Sequence, residues 1–125
     1  MRPGFVMGLS LAVAAFTAST ATRAADADSG QAVFKTQCGV CHAVQEGKTM
    51  IGPSLFGVVG RAAGKVPGFR YSAASQSTDI VWTPDMLDKY LTAPKAVVPG
   101  TTMLYAGLKD DAKRADLIAY LGTLK

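Results

Sequence analysis

Every soft metal ligand in this chain apart from methionine sulfur falls within five consecutive positions, Cys38-Gly39-Val40-Cys41-His42, because the 125 residues hold only two cysteines and one histidine. A thioredoxin-like redox pair needs a strand of a parallel sheet feeding a helix at that point, and strand signals are almost absent from this sequence. A structural zinc site wants four ligands. The chain offers three, all in one turn, with no further Cys or His to complete the set. A disulfide between residues so close would shut too short a loop to staple a fold. The remaining chemistry uses all three side chains. Each thiol adds to one vinyl group of a haem, and the adjacent histidine gives a ring nitrogen to the iron.

A six-coordinate iron then needs one more ligand. No second histidine exists, so the candidates downstream of the first two dozen residues are Met50, Met86 and Met103. Met50 follows His42 too closely to reach the opposite haem face with ease. Met86 falls on the apolar side of an expected helix, where core packing is its ordinary role. Met103 sits in an irregular stretch between Pro99-Gly100 and Tyr105, free to approach the haem, and is the favoured candidate.

The elements that must position these residues are helical. "DSGQAVFKTQC" reads as a helix capped by Asp28 or Ser29, with Val33 and Phe34 on its apolar side. "TPDMLDKYL" reads as a helix with Thr83 as cap, Pro84 in the first turn, and Met86, Leu87, Tyr90 and Leu91 inward. "LKDDAKRADLIAYLGTLK" closes the chain as a third, with acids at its start. The Gly-rich middle reads as loops, with short helical turns near "SLFGVVG" and "YSAAS", and "TAPKAVVPGTTM" reads as a proline-bounded loop. The expectation is an all-α single domain with long connections.

Upstream of that domain, Arg2 precedes an uncharged apolar run, Phe5–Ala18, followed by small residues: the layout of a secretory signal peptide. The run is shorter than the ~20 residues a membrane-spanning helix needs, so a retained anchor is the lesser reading and no stable membrane insertion is expected. Cleavage after Ala24 or Ala27 satisfies the small-residue rule, with Ala24 preferred. The expected organisation is residues 1–24 as leader and 25–125 as the domain. Removing Arg2 and Arg23 lowers the formal net charge from +4 to +2, too little and too scattered for nucleic acid. A domain of that size buries a modest share of its surface, and a large flat apolar cofactor would supply the missing core.

In order along the chain, "GQAVFKTQCGVCH", "GPSLFGVVGR", "PGFRYS", "VWTPDMLDKYL", "PKAVVPGTTMLYAGLK" and "RADLIAYL" resemble the class I c-type cytochromes, in particular bacterial cytochrome c2 and mitochondrial cytochrome c. The resemblance implies the small single-haem cytochrome c fold, with first and last helices packed together through Gly30, Phe34, Leu117 and Tyr120. It implies one haem c held covalently by Cys38 and Cys41 and ligated by His42 and Met103. Pro53 would accept a hydrogen bond from His42 Nδ1. Arg61, Tyr71 and Trp82 would surround one haem propionate, with Ser72 and Thr101 as further donors, and Tyr90 would lie near the Met103 sulfur. The implied function is one-electron transport in the periplasm by a monomer that is not an enzyme. Its partners would be a bc1-type complex, a terminal oxidase, a photosynthetic reaction centre or a dehydrogenase. A haem enzyme or gas sensor, the next class, would need an open iron position.

The chain departs from its relatives at the expected docking edge. Gln37, Ala96 and Thr102 stand where relatives often carry lysine. Lys48, Lys95 and Lys109 remain, with Asp110 and Asp111 beside the last. Tyr105 replaces a common phenylalanine. A thinner positive ring implies a partner surface that is less acidic, or a contact that is more apolar.

Overall fold

The computed structural model describes Gly4 and residues 13–125; the first part of the apolar run Phe5–Ala18 lies outside the described residues. Five helices follow in order: α1 Ala27–Gln37, α2 Ala73–Ser77, α3 Pro84–Thr92, α4 Pro94–Val97 and α5 Asp111–Leu121. Among the described residues there is no strand, only an isolated antiparallel bridge between Ala62 and Val81. No helix among them is long and apolar enough to cross a membrane.

The first helix starts earlier than expected. Its cap is Asp26 rather than Asp28 or Ser29, and the Asp26 carboxylate accepts from the Asp28 N–H and the Ser29 hydroxyl, both at 2.9 Å. Those bonds, the serine hydroxyl foremost, hold the Asp26 carboxyl below the usual carboxylate range. All three residues have capping chemistry. A long-range contact decides between them, since the Asp26 N–H donates to Asp116 on α5 at 2.8 Å.

The other main helices form as their sequences dictate. Thr83 Oγ1 accepts from the Met86 N–H at 3.2 Å, Pro84 occupies the first turn, and Leu87 and Leu91 are buried. Asp110 caps α5 through the Lys113 N–H, and Leu117 and Leu121 face the core. The loop expected after Ala93 contains one helical turn, α4, which Pro94 initiates with its fixed φ. The turn expected at "SLFGVVG" is not helical. Gly57 and Gly60 take φ of 67° and 88°, and the Gly57 N–H leaves to bond Leu124 O at 2.6 Å.

Gly30 sets how closely α1 and α5 cross. A Cβ there would lie 1.9 Å from Asp116 O and 2.8 Å from Tyr120 Cβ. One turn on, the Phe34 and Tyr120 rings meet with centroids 5.6 Å apart, and Leu117 beside them is fully buried. Phe34, Leu117 and Leu121 join Val58, Leu87, Leu91 and Leu108 in one cluster, each side chain contributing about 1.5–3 kcal/mol on full burial. Arg114 locks α5 to α3: Nε bonds Asp88 at 2.6 Å, while the two terminal nitrogens reach Leu108 O at 2.9 Å and Asp111 at 2.7 Å. Because the atom facing Gly30 is backbone, Gly30→Ala must push the helices apart. It should cost about 1–3 kcal/mol, read as a fall of roughly 5–20 °C in the thermal midpoint of the holoprotein. A change below about 2 °C would show that the crossing has slack.

Candidate functional site

A cavity of about 380 Å³ opens among the end of α1, the loops, α3 and α5, within the ~300–1,000 Å³ typical of cofactor sites. Cys38, Cys41, His42, Pro53, Arg61, Tyr71, Trp82, Tyr90, Thr101 and Met103 all line it. Arg61 is the single residue of full charge among the described lining residues; most of the rest are apolar.

The attachment segment leaves α1 in tight turns. Cys38 N–H still bonds Phe34 O at 2.8 Å, and Cys41 and His42 N–H both return to Cys38 O at 3.0 Å. This winding brings both thiols and the imidazole to one wall. Burial, with repulsion from Cys41 second, pushes the Cys38 thiol up to about 11. A thioether carries no such penalty because it does not ionise.

His42 Nδ1 lies 2.7 Å from Pro53 O. A carbonyl can only accept, so Nδ1 must carry the proton and Nε2 keeps its lone pair. Burial pulls the His42 pKa down, against the opposing effect of the Pro53 bond, which keeps the ring in the neutral form a metal requires. Gly52, adjacent in chain, explains the fit. A Cβ there would sit 2.3 Å from His42 Cε1. Pro53 is a candidate from the sequence, whereas the only sequence signal for Gly52 is its place just before the proline.

At the polar end the residues are present but partly engaged. The Arg61 guanidinium donates to Phe56 O at 2.8 Å and Ser54 O at 3.1 Å, leaving its other N–H groups for a carboxylate. Tyr71 Oη accepts from the Val66 N–H at 3.1 Å, so its own proton remains to donate. Trp82 packs on Tyr90 with centroids 4.6 Å apart, and its indole N–H has no acceptor among the described residues. Ser72 is mainly a cap for α2, accepting from Ser75 N–H at 3.1 Å.

The Met103 loop is held from several sides. Thr101 Oγ1 accepts from the Met103 N–H at 3.3 Å, and Tyr90 Oη donates to Met103 Sδ at 3.4 Å. Burial raises the Tyr90 pKa, so the phenol keeps its proton. Leu108 N–H bonds Leu91 O at 2.7 Å, and Lys109 Nζ bonds Thr92 O, fastening the loop's far end to α3. Met50 and Met86 are absent from the lining. Across the mouth, Tyr105 Oη donates to Gln37 Oε1 at 3.0 Å, joining segments 68 residues apart. Both stand out in the sequence as departures from relatives, but nothing in the sequence pairs them.

Two thiols separated by two residues, a neutral imidazole with a free Nε2, a thioether, mostly apolar walls and side-chain donors able to meet carboxylates fit a haem. The fold and the site therefore define a small helical protein closed around one covalent haem. A family model for cytochrome c matches residues 27–125. The chain is 53% identical over 96 residues to cytochrome c2 of Rhodopila globiformis, covering 77% of this chain and 91% of that one. It is 46% identical over 118 residues to cytochrome c2 of Blastochloris viridis, covering 94% and 86%. Among solved structures, cytochrome cH from Methylobacterium extorquens superposes with a TM-score of 0.73 at 39% identity, covering 78% of this chain and 98% of that one. The chain belongs to the cytochrome c family and is a class I c-type cytochrome. Its cofactor is one haem c, bound through Cys38 and Cys41, and it is an electron carrier of that family.

The Tyr105–Gln37 bond ties the segment after Met103 to the haem-attachment segment. A neutral hydrogen bond at an exposed site contributes about 0.5–1 kcal/mol. Tyr105→Phe should therefore let free imidazole enter the ferric protein about two- to fivefold faster, with the visible spectrum at rest unchanged. An unaltered rate would mean that the bond does nothing to keep the mouth closed.

Proposed function

We propose that this protein is a periplasmic one-electron carrier in which His42 and Met103 would be the two side chains that hold the haem iron. The observation that carries this reading is that Met103 Sδ lines the same cavity as His42 and accepts a hydrogen bond from Tyr90. When bound, the haem supplies a reversible one-electron change at iron. The protein's part is to hold that change in place. Pro53 fixes the donor tautomer of His42, Tyr90 and Thr101 fix the methionine, and apolar walls keep water from the metal. With a histidine and a methionine both supplied by the chain, no substrate would need to bind iron, which supports electron carriage over catalysis. Arg61, Tyr71, Trp82 and Thr101 supply the polar contacts for the haem carboxylates, which could not sit in apolar surroundings without donors.

Export to the periplasm is supported by the leader-type segment, residues 1–24. The match to the Blastochloris viridis protein takes in 94% of the chain, so it reaches into that segment. Met103→Ala tests the ligand assignment. The ferric wild-type protein should show the weak far-red charge-transfer band of methionine-bound haem, and the variant should lose it while keeping its covalent haem. A band that survives the substitution would remove Met103 from the iron and revive the open-site readings.

The face that meets redox partners is apolar at its centre. Val40 is 74% exposed, Ile51 75% and Leu104 95%, and Ile51 and Leu104 border the cavity with uncharged Gln37, Thr102 and Tyr105. Lys109, one of the remaining lysines, is occupied by Thr92 O. Partners matched to this face present neutral, apolar surface to its centre, among the complexes that take or give single electrons in the periplasm. Association with such a partner should fall less than about tenfold between low and physiological ionic strength, since few charges steer it. A steeper fall would reinstate a lysine-led encounter.

A further inference from the structure

Asp116 is 4% exposed and lies on α5 where it crosses α1. Its carboxylate accepts from the Asp26 N–H at 2.8 Å and from the Arg23 guanidinium at 3.1–3.3 Å. Among the described residues Arg23 is its only ion-pair partner. Yet Arg23 belongs to the segment proposed above as a leader, and this inference rests on that reading. Removal of the leader strips a buried carboxylate of its cation, a strongly destabilising change unless something takes the cation's place.

The cut itself makes the replacement. Hydrolysis of the Ala24–Ala25 peptide bond by an export peptidase consumes one water. It leaves a carboxylate on Ala24 and an α-amine on Ala25, which takes up a proton at neutral pH. That nitrogen is one residue from the Asp26 nitrogen already bonded to Asp116, and bond lengths of 1.33–1.52 Å along the backbone keep consecutive nitrogens within about 4 Å. The Asp26 carboxylate is occupied by the Asp28 N–H and the Ser29 hydroxyl, so Asp116 is the acceptor at hand. It also offsets the unfavourable placement of a positive charge at the start of a helix.

We propose that Asp116 is the docking site of the mature N-terminus: cleavage after Ala24 exchanges the Arg23 guanidinium for the Ala25 α-ammonium on the same carboxylate. Both forms of the chain then keep the helix crossing paired. A cut after Ala27 could not do this, because it would remove both the Asp26 cap and the Asp26 N–H bound to Asp116.

The test uses exported holoprotein. Intact mass and terminal sequencing should place the first residue at Ala25. At neutral pH an amine-directed acylating reagent should modify the α-amine about tenfold more slowly in the native protein than in the unfolded one. Acetylating that amine should lower the folding equilibrium constant about fivefold in the wild-type sequence and less than about twofold in an Asp116→Asn background. A chain beginning at Asp28, an α-amine equally reactive in both states, or an acetylation effect equal in both backgrounds would overturn the proposal. If Asp116→Asn does not fold, the reactivity ratio decides alone. A retained leader would also overturn it while leaving the haem spectrum intact, so that outcome is separable from failure of the carrier reading.

Discussion

The structure depends on one constraint: about a hundred residues must close around a group they do not encode. A cavity of about 380 Å³ lies beside the core, so the apolar side chains that line it lack protein partners on that side. The buried core itself is Phe34, Val58, Leu87, Leu91, Leu108, Leu117 and Leu121, and a domain of this size buries only a modest share of its surface. Leu87, Leu91, Leu117 and Leu121 serve twice, packing the helices on one side and lining the cavity on the other. Covalent attachment removes the possibility of the occupant leaving, so the fold and the cofactor are thermodynamically one object.

That dependence explains what could be read in the sequence. Local chemistry was legible: the CxxCH turn, the Thr83-Pro84 start of α3, and the acid-capped last helix follow from residue type and spacing alone. The His42 tautomer was reachable only through the family resemblance, because the Pro53 carbonyl that sets it is a backbone atom with no sequence signature. The start of α1 was misplaced for a related reason. Asp26, Asp28 and Ser29 have equivalent capping chemistry, and a contact 90 residues away selects among them. The turn at "SLFGVVG" failed because two positive-φ glycines outweighed its apolar spacing. Tyr105 and Gln37 stood out as individual departures, but a pair joined across a cavity mouth is a fact of tertiary structure.

The supports around Met103 are graded, and the gradient has a physical sense. The far end of its loop is fastened to α3 by backbone and by Lys109, and Arg114 braces Leu108 from inside the α3–α5 seam. Nearer the sulfur the restraints are single side-chain bonds, from Tyr90 and to Thr101. At the mouth the side-chain restraint found among the described residues is the Tyr105–Gln37 contact. Restraints are therefore densest at the packed base and sparsest at the mouth.

For a carrier of single electrons, that distribution follows from the chemistry. An environment whose dipoles are already in place costs little to reorganise when charge changes, so the ligand-bearing groups gain from rigidity. The docking proposed above gains from the opposite, since an edge of uncharged side chains can adapt to more than one surface. The Arg61 guanidinium shows how the compromise is built. Two of its N–H groups are spent on Phe56 and Ser54 carbonyls, which fixes the plane of the cation before any carboxylate meets it. Burial at this position lowers its pKa only against an intrinsic value so high that the charge persists. A fixed positive charge in a mostly apolar cavity suits the proposed contact with the haem carboxylates, and the uncharged side chains Gln37, Thr102 and Tyr105 along the same lining suit the proposed loose contact with partners.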